Sequence, residues 1–251
     1  MSPAPSAAPT GAPSEVVVAR MLTIFRGCRA HPALVETATG ARYLLKFAGA
    51  GAGRRGLLSE FLASRIAVHL GLPMPAIRPV YLPPGFPWQV GNDEFDDMVQ
   101  RSFGWNLGVA HLADVRVASP VELGRLPAEF LARLELADRL LQNVDRAVAN
   151  PNVLLDAADT PWAIDFGACL YLERILGGTK FSFALPANQF LNVEPYSKRR
   201  ATWLRADLPA RATVRAWLDE APDPWIDSVS RTRAQLAEGL IAYFASYAAW
   251  R

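Results

Sequence analysis

Residues 140–170 read LLQNVDRAVANPNVLLDAADTPWAIDFGACL, and this stretch decides the predicted fold. It begins at the end of an amphipathic pattern over 127–143, whose apolar residues recur at helical spacing. A polar loop follows directly and carries Asp145 and Asn150, which are separated by five positions. Because aspartate and asparagine are frequent in turns, this pair taken alone indicates only a loop.

A predicted hairpin follows the loop. Two short β-prone runs, at 153–155 and 162–164, are joined by the turn-rich residues 156–161. The chain then reads Asp-Phe-Gly, beginning at Asp165. Because a hairpin returns the chain to its starting point, we expect Asn150 and Asp165 to converge.

Two carboxylates and an amide in this arrangement fit phosphoryl transfer from ATP. That chemistry needs a cation on the nucleotide phosphates, oxygen ligands for Mg²⁺ and a carboxylate that orients the accepting hydroxyl. Mg²⁺ takes carboxylate and amide oxygens, alongside waters and substrate phosphates. We therefore expect Asp145 to orient the hydroxyl and Asn150 and Asp165 to bind the metal.

The predicted cation is Lys46, at the end of the strand-like run 33–47. Lys46 is one of three lysines in a chain that otherwise uses arginine, and the two residue types are not interchangeable at a tight site. Glu60, on a predicted helix over 57–70, can reach it as an ion-pair partner. Lys46 alone reads as a snorkelling strand residue and Glu60 alone as a solvated charge. The ordered set of strand lysine, helix glutamate, Asp-x₄-Asn loop and Asp-Phe-Gly favours the functional interpretation.

The order of the elements predicts an α+β protein with a two-lobed, kinase-like fold. We expect a disordered tail at 1–14, a β-rich N-lobe with one helix at 15–103, and a mostly helical C-lobe at 104–251. The predicted elements outside the quoted stretch are β-prone runs at 16–18, 22–25, 33–47, 76–82 and 94–99, a mobile Gly-rich loop at 49–56, and a helical end at 224–250.

Composition narrows the classes of partner. The chain has 251 residues, of which 51% are hydrophobic and 20% charged, with a net charge of +2. That balance gives no reason to expect nucleic acid or an anionic membrane as partner. No apolar run is long enough for a membrane span, and the N-terminus lacks a signal pattern, so we expect a cytoplasmic protein. Cys28 and Cys169 are isolated, which indicates small buried thiols and not zinc ligands or a disulfide framework.

The quoted stretch resembles the catalytic segment of HipA-like kinases. It is also similar to phosphatidylinositol 3- and 4-kinases, whose Asp-Arg-x-x-x-Asn loop precedes Ile-Asp-Phe-Gly or a variant. The segments YLLKF, from residue 43, and LLSEFLASRIAVHLGLPMP, from residue 57, resemble the lysine strand and the helix after it in the HipA-like group.

The resemblance implies a role for each matched residue. Asp145 would be the catalytic carboxylate, Asn150 and Asp165 the Mg²⁺ ligands, Lys46 the ATP phosphate-binding lysine and Glu60 its partner. Asn152 would support the loop through backbone hydrogen bonds.

The pattern departs from ordinary protein kinases in three ways. The loop has no His-Arg-Asp, no Ala-Pro-Glu follows, and no G-x-G-x-x-G precedes the lysine strand. Either 27–32 or 49–56 could cover the phosphates.

Several functions remain open from the sequence. The first hypothesis is a kinase that phosphorylates a Ser/Thr hydroxyl of a protein substrate or of itself. A lipid or small-molecule kinase, an AMP transferase with the same metal site, and a pseudokinase acting as an interaction module are the alternatives.

Overall fold

The structure is a computed structural model, and contacts divide its residues into two compact units. The first unit takes its residues from within 16–58, 76–111 and 221–228, and the second from within 59–75, 112–220 and 229–250. The residues that the structure describes are 16–25, 31–88, 91, 93–178, 182–187, 189–192 and 207–250. The predicted tail at 1–14 and Cys28 lie outside them.

A five-stranded antiparallel sheet forms the core of the first unit. Its strands are β1 (Val18–Ile24), β2 (Ala33–Thr37), β3 (Arg42–Lys46), β4 (Ile77–Leu82) and β5 (Gly104–Ala110). Their spatial order is β1-β2-β3-β5-β4. Val17 and Tyr81 form an isolated bridge, so the two edge strands meet near one end. β3 is the middle strand of this sheet, and its last residue, Lys46, pairs with Leu107 on β5.

The predicted strands around Gly40 are confirmed as the β2–β3 hairpin. Gly40 has a φ of +83°, a backbone conformation that glycine adopts without a steric penalty. Alternate residues of β3, Tyr43 and Leu45, are buried, as expected for a strand with one face on the core. The buried apolar cluster of this unit consists of Val18, Ala33, Val35, Tyr43, Leu45, Phe47, Val80, Leu82, Phe86, Phe95, Met98 and Val99.

The strand predicted at 94–99 is wrong, because this segment is helix α2 (Asp93–Gln100). Its buried residues are Phe95, Met98 and Val99, whose i, i+3, i+4 spacing matches a helix face. Acidic residues in the first turn complement the positive end of the helix dipole. A segment of six residues is too short for its apolar positions to separate a strand from a helix.

Two elements of the first unit lie outside residues 15–103, the predicted N-lobe. β5 pairs with both β3 and β4, so the sheet needs it to be continuous. Helix α7 (Asp223–Asp227) comes from near the C-terminus, and the indole of Trp225, which has no solvent exposure, donates to the carbonyl of Trp105 at 3.2 Å. The first unit is therefore discontinuous in the sequence.

The second unit is mostly helical. It contains the greater part of α1 (Gly53–His69), then α3 (Pro120–Leu123), α4 (Ala128–Leu141), α5 (Leu172–Leu176), α6 (Arg211–Glu220) and α8 (Arg233–Trp250), and a 3₁₀ turn at Phe190–Asn192. Its small antiparallel sheet consists of β6 (Arg116–Val117), β7 (Val153–Leu155) and β8 (Pro161–Ala163). The predicted helix at 127–143 and the predicted hairpin after it are confirmed.

Helix α1 is longer than the predicted helix at 57–70. It begins at Gly53, so the segment 49–56, predicted as a loop, is a loop only in its first half. The predicted end is confirmed. Gly71 has a φ of +79° and the amide of Leu72 donates to the carbonyl of Ala67 at 3.1 Å, which together close the last turn.

Aromatic side chains hold the last helix of the second unit. The hydroxyl of Tyr243 on α8 donates to the carbonyl of Leu140 on α4 at 2.5 Å. The ring of Phe183 packs on Tyr243 and Tyr247, with centroids 5.4 and 4.9 Å away. Across the described residues no helix is long and apolar enough to span a lipid bilayer.

One charged cluster of the first unit generates a prediction on stability and pH. Glu36 lies opposite Arg20 on β1 and Arg42 on β3. Hydrogen bonds from Arg20 and Arg42 lower the pKa of Glu36. The unfolded chain then binds the proton more readily than the folded one, so the contribution to stability is present above the unfolded pKa, about 4.3, and is lost as pH falls.

We therefore expect Glu36→Gln to lower the melting temperature at pH 7, and the difference from the wild type to vanish near pH 3. Thermal denaturation between pH 3 and 8 measures this. Glu129→Gln is the control, because its ion pair with Arg133 is exposed and should contribute less. An equal melting temperature at pH 7 would contradict the prediction.

Candidate active site

The loop that carries Asp145 begins where α4 ends. Gln142 takes a left-handed conformation, with a φ of +54°, and stops the helix. Asp145 follows as an exposed residue, whereas Asn143 and Arg146 on either side are fully buried. This alternation anchors the loop and leaves the Asp145 carboxylate accessible.

Asn150 is bound to Asp145 within the loop. Its amide nitrogen donates to the backbone carbonyl of Asp145 and to its carboxylate oxygen Oδ2, both at 3.2 Å. The donor end of the Asn150 amide is therefore used inside the protein. Its carbonyl oxygen is the atom suited to a metal ion. The structure thus joins two of the predicted site residues directly.

The hairpin β7–β8 brings Asp165 back to this loop. Asp156 forms its turn by accepting hydrogen bonds from the amides of Ala158 and Thr160, each at 2.9 Å. The amide of Ile164 donates to the carbonyl of Asn152 at 3.0 Å, and the amide of Val144 donates to Ala168 at 3.5 Å. Backbone bonds therefore link the segments that contain Asn150 and Asp165, as the sequence predicted for a returning hairpin.

Asn152 is fixed by its backbone. Its carbonyl accepts hydrogen bonds from Ile164 and from Nη1 of Arg146, at 3.0 and 2.8 Å. Its φ of +48° is a conformation that asparagine tolerates better than most residues. These bonds are of the kind that the sequence predicted for Asn152.

Asp165 and Glu60 both lie beside Gly167. The Asp165 carboxylate accepts a hydrogen bond from the Gly167 amide at 3.3 Å, and Asp165 itself has a left-handed φ of +57°. A Cβ atom placed on Gly167 would lie 3.2 Å from Oε2 of Glu60 and 3.3 Å from Oδ1 of Asp165. The second unit therefore brings Glu60, on α1, to the Asp-Phe-Gly segment.

Lys46 is the last residue of β3, opposite Leu107 on β5. It is half-buried and belongs to the first unit, whereas Glu60 belongs to the second. The predicted pairing of Lys46 with Glu60 stays a prediction.

The Gly-rich loop after Lys46 turns its backbone donors into the protein. The amide of Ala48 donates to Oδ1 of Asn106, and that of Gly49 to Oγ of Ser102, both at 2.8 Å. The amides of Ala50 and Gly53 close turns within the loop. A loop that covers phosphates needs free amides. The amides of Gly49, Ala50 and Gly53 are therefore used within the protein, and most of the alternative, 27–32, lies outside the described residues. The position of the phosphate-covering loop stays a prediction.

A buried polar cluster behind the loop was not predicted. Asp138 on α4 has no solvent exposure and accepts hydrogen bonds from Asn143, Arg146 and Gln189. Burial raises the pKa of Asp138, and the positive charge of Arg146 and these donated bonds oppose that rise. Asp138 could have been found in the sequence, because it lies four residues after Leu134 and three before Leu141, on the apolar stripe of the helix.

The predicted burial of Cys169 is confirmed. Cys169 is 2% exposed, and its thiol donates to the carbonyl of Phe166. Burial, with the negative charges of Asp138 and Glu60, raises the pKa of the thiol well above its usual range. The thiol therefore stays protonated and serves packing.

The contacts of Gly167 generate a prediction. In Gly167→Ala the new methyl group crowds two carboxylates, so we expect a loss of about 1 kcal/mol of stability and weaker binding of Mg²⁺-ATP. Thermal denaturation and titration with Mg²⁺-ATP measure the two effects. Unchanged melting temperature together with unchanged affinity would show that Glu60 and Asp165 do not need this space.

Comparisons with known protein families and solved structures also indicate a kinase-like protein. A model of the HipA-like kinase family matches residues 18–236. Among solved structures, the proinflammatory kinase CtkA of Helicobacter pylori is similar, with a TM-score of 0.50 and 13% identity over 89% of this chain and 92% of that chain. A comparison with curated proteins gave no match.

The structural similarity confirms the predicted α+β, kinase-like fold. The family model covers most of the chain and includes every residue predicted for the site. The chain therefore belongs to the HipA-like kinase family.

Proposed function

We propose that this protein is an ATP-dependent phosphotransferase that transfers the γ-phosphate to a Ser/Thr hydroxyl of a protein substrate or of itself. Membership of the HipA-like kinase family supports a kinase function. The observation that carries the proposal is the pair of hydrogen bonds from Asn150 to Asp145. They hold a metal-binding amide and a hydroxyl-orienting carboxylate in one loop.

The proposed metal ligands fit a Mg²⁺ ion whose remaining ligands come from a bound nucleotide and waters. Among the described residues no group of three or more His, Cys, Asp and Glu side chains could hold a metal ion. Mg²⁺ is commonly bound by one or two carboxylates together with waters and substrate phosphates. Asn150 and Asp165 would supply the protein ligands, and the bound ion would neutralise charge on the phosphates.

The roles proposed for Lys46, Glu60 and Asp145 follow from where these residues lie in the fold. We assign Lys46 to the ATP phosphates and Glu60 to holding it, so that the first unit acts as the phosphate-binding lobe. Asp145 is exposed and can accept a hydrogen bond from an incoming hydroxyl. The hydroxyl oxygen forms a bond to the γ-phosphorus, the bond to the β–γ bridging oxygen breaks to release ADP, and the hydroxyl proton leaves through Asp145.

The acceptor class and the cellular location complete the proposal. A polypeptide hydroxyl is favoured over a lipid, because the net charge of +2 offers little attraction to anionic membranes. A cytoplasmic location is consistent with use of ATP. Incubation with γ-labelled ATP, followed by acid hydrolysis of the labelled protein, distinguishes phosphoserine and phosphothreonine from other products.

The first prediction on function concerns Mg²⁺-ATP binding. A ligand at 100 times its dissociation constant stabilises the folded state by about 2.7 kcal/mol, so Mg²⁺-ATP should raise the melting temperature of the wild type. The rise should be lost in Asp165→Ala. Asp159→Ala is a matched control, because Asp159 lies in the turn of the hairpin before Asp165, has a similar φ of +60° and should keep the rise. No rise in the wild type would favour a pseudokinase that acts as an interaction module.

The second prediction on function separates chemistry from binding. In Asp145→Asn the side chain keeps its shape but loses its charge, so transfer from γ-labelled ATP should fall roughly 10²-fold or more. Binding of Mg²⁺-ATP should stay close to that of the wild type, because Asp145 is not a proposed metal ligand. Full transfer activity in this variant would refute the role given to Asp145.

A further inference from the structure

The catalytic loop is tied to α4 by a chain of buried hydrogen bonds. Nδ2 of Asn143 donates to Oδ1 of Asp138 at 3.0 Å, and Oδ1 of Asn143 accepts the backbone amide of Asp145 at 3.1 Å. Asp138 and Asn143 both have no solvent exposure. The side-chain amide of Asn143 therefore bridges the Asp138 carboxylate and the backbone of Asp145. Its nitrogen must face the carboxylate and its oxygen must face the amide, so the side chain cannot flip.

Asp138 also holds the loop on the other side of Asp145. Nε of Arg146 donates to Oδ2 of Asp138, and Nη1 of Arg146 donates to the carbonyls of Pro151 and Asn152, each at 2.8 Å. The guanidinium also lies over the ring of Phe166, 5.1 Å from its centroid. Asn143, two residues before Asp145, and Arg146, directly after it, thus both donate to the carboxylate of Asp138.

Stability alone does not account for this cluster. A fully buried ion pair such as Asp138–Arg146 carries a large desolvation cost, and an apolar replacement is often as stable. Buried polar groups that are hydrogen-bonded to one another do fix one geometry among many. Both oxygens of Asp138 and both ends of the Asn143 amide are bonded in this way, whereas Nη2 of Arg146 has no partner among the described residues. What this geometry fixes is the position of the Asp145 backbone.

We propose that Asp138 and Asn143 are positioning residues, a buried relay that sets the orientation of the Asp145 carboxylate toward the accepting hydroxyl. This inference rests on the proposed function of Asp145. Neither Asp138 nor Asn143 is a proposed metal ligand, so the relay should change the rate of transfer much more than the affinity for Mg²⁺-ATP.

A charge swap tests the relay. In Asp138→Asn, the new amide must donate toward residue 143, so Asn143 turns and presents its own donor to the Asp145 amide. In Asn143→Asp, two carboxylates meet in a buried site. In the double variant Asp138→Asn/Asn143→Asp, residue 143 accepts from both residue 138 and the Asp145 amide, so the bridge is restored with its first bond reversed. The double variant should therefore recover what each single variant loses.

Gln189→Met is the matched control for stability. Gln189 also donates to Oδ2 of Asp138, and its own oxygen accepts the amide of Leu191, so neither of these side-chain bonds involves residues 143–145. The turn itself meets the loop only after Asp145, where the amide of Phe190 donates to the carbonyl of Arg146 at 3.2 Å. The substitution Gln189→Met therefore removes one buried hydrogen bond to the Asp138 carboxylate and leaves the bonds from Asp138 through Asn143 to Asp145 in place. Asn143→Leu is the corresponding variant that cuts it.

Three measurements follow for each variant: melting temperature, affinity for Mg²⁺-ATP, and kcat with γ-labelled ATP and the protein's own hydroxyls or water as acceptor. We expect Asn143→Leu and the single swap variants to lose kcat roughly 10²-fold, with ATP affinity near that of the wild type. The double swap should regain about tenfold or more, while Gln189→Met keeps kcat despite a similar loss of melting temperature. Equal losses of kcat in Gln189→Met and Asn143→Leu would overturn the relay.

Hydrogen exchange separates the relay from the proposed function. In the wild type the Asp145 amide should be protected, and peptides covering 142–150 should exchange faster in Asn143→Leu but not in Gln189→Met. If the wild type transfers no phosphate yet shows this pattern, the relay holds and the kinase proposal fails. Equal exchange in the two variants would overturn the relay whatever the activity.

Discussion

The carboxylate of Asp138 lies without solvent exposure in the second unit, where Asn143, Arg146 and Gln189 donate hydrogen bonds to it. A buried carboxylate is costly unless donors surround it, so these side chains have little choice of position. Two of the three belong to the loop that contains Asp145. The loop that contains Asp145 is consequently built around an internal charge, and its buried residues set the positions of its exposed ones.

The Asp-Phe-Gly segment depends on the same cluster. Arg146 reaches from Asp138 to the ring of Phe166, and the hairpin brings Asp165 next to that ring. Gly167 then allows the carboxylates of Glu60 and Asp165 to lie close to the backbone. Residues that are separated by more than 100 positions in the sequence therefore share one small volume of the second unit.

In the first unit, a β-sheet and not a buried charge positions Lys46. β3 lies between β2 and β5, and the side chain of Asn106 accepts the amide of Ala48, two residues after Lys46. Asn106 has no solvent exposure and also donates to the carbonyls of Ser102 and Gly104. The first residues after Lys46 are thus held by side-chain bonds, and the amides of Ala48 and Gly49 are used within the protein.

The sequence alone determined the local elements and the order of the motif residues. The helix at α4, the β7–β8 hairpin and the sites of Asp145, Asn150 and Asp165 depend on spacing and turn residues, which are local properties. The strand predicted in the α2 segment is wrong, because three apolar residues in so short a segment do not separate a strand from a helix. Tertiary structure decided which distant segments pack together and which side chains surround a buried charge, and neither spacing nor composition encodes these contacts. It brought α7 to the first unit, and it surrounded Asp138, one charge on an apolar stripe, with the donors Asn143, Arg146 and Gln189, because these side chains meet only after folding.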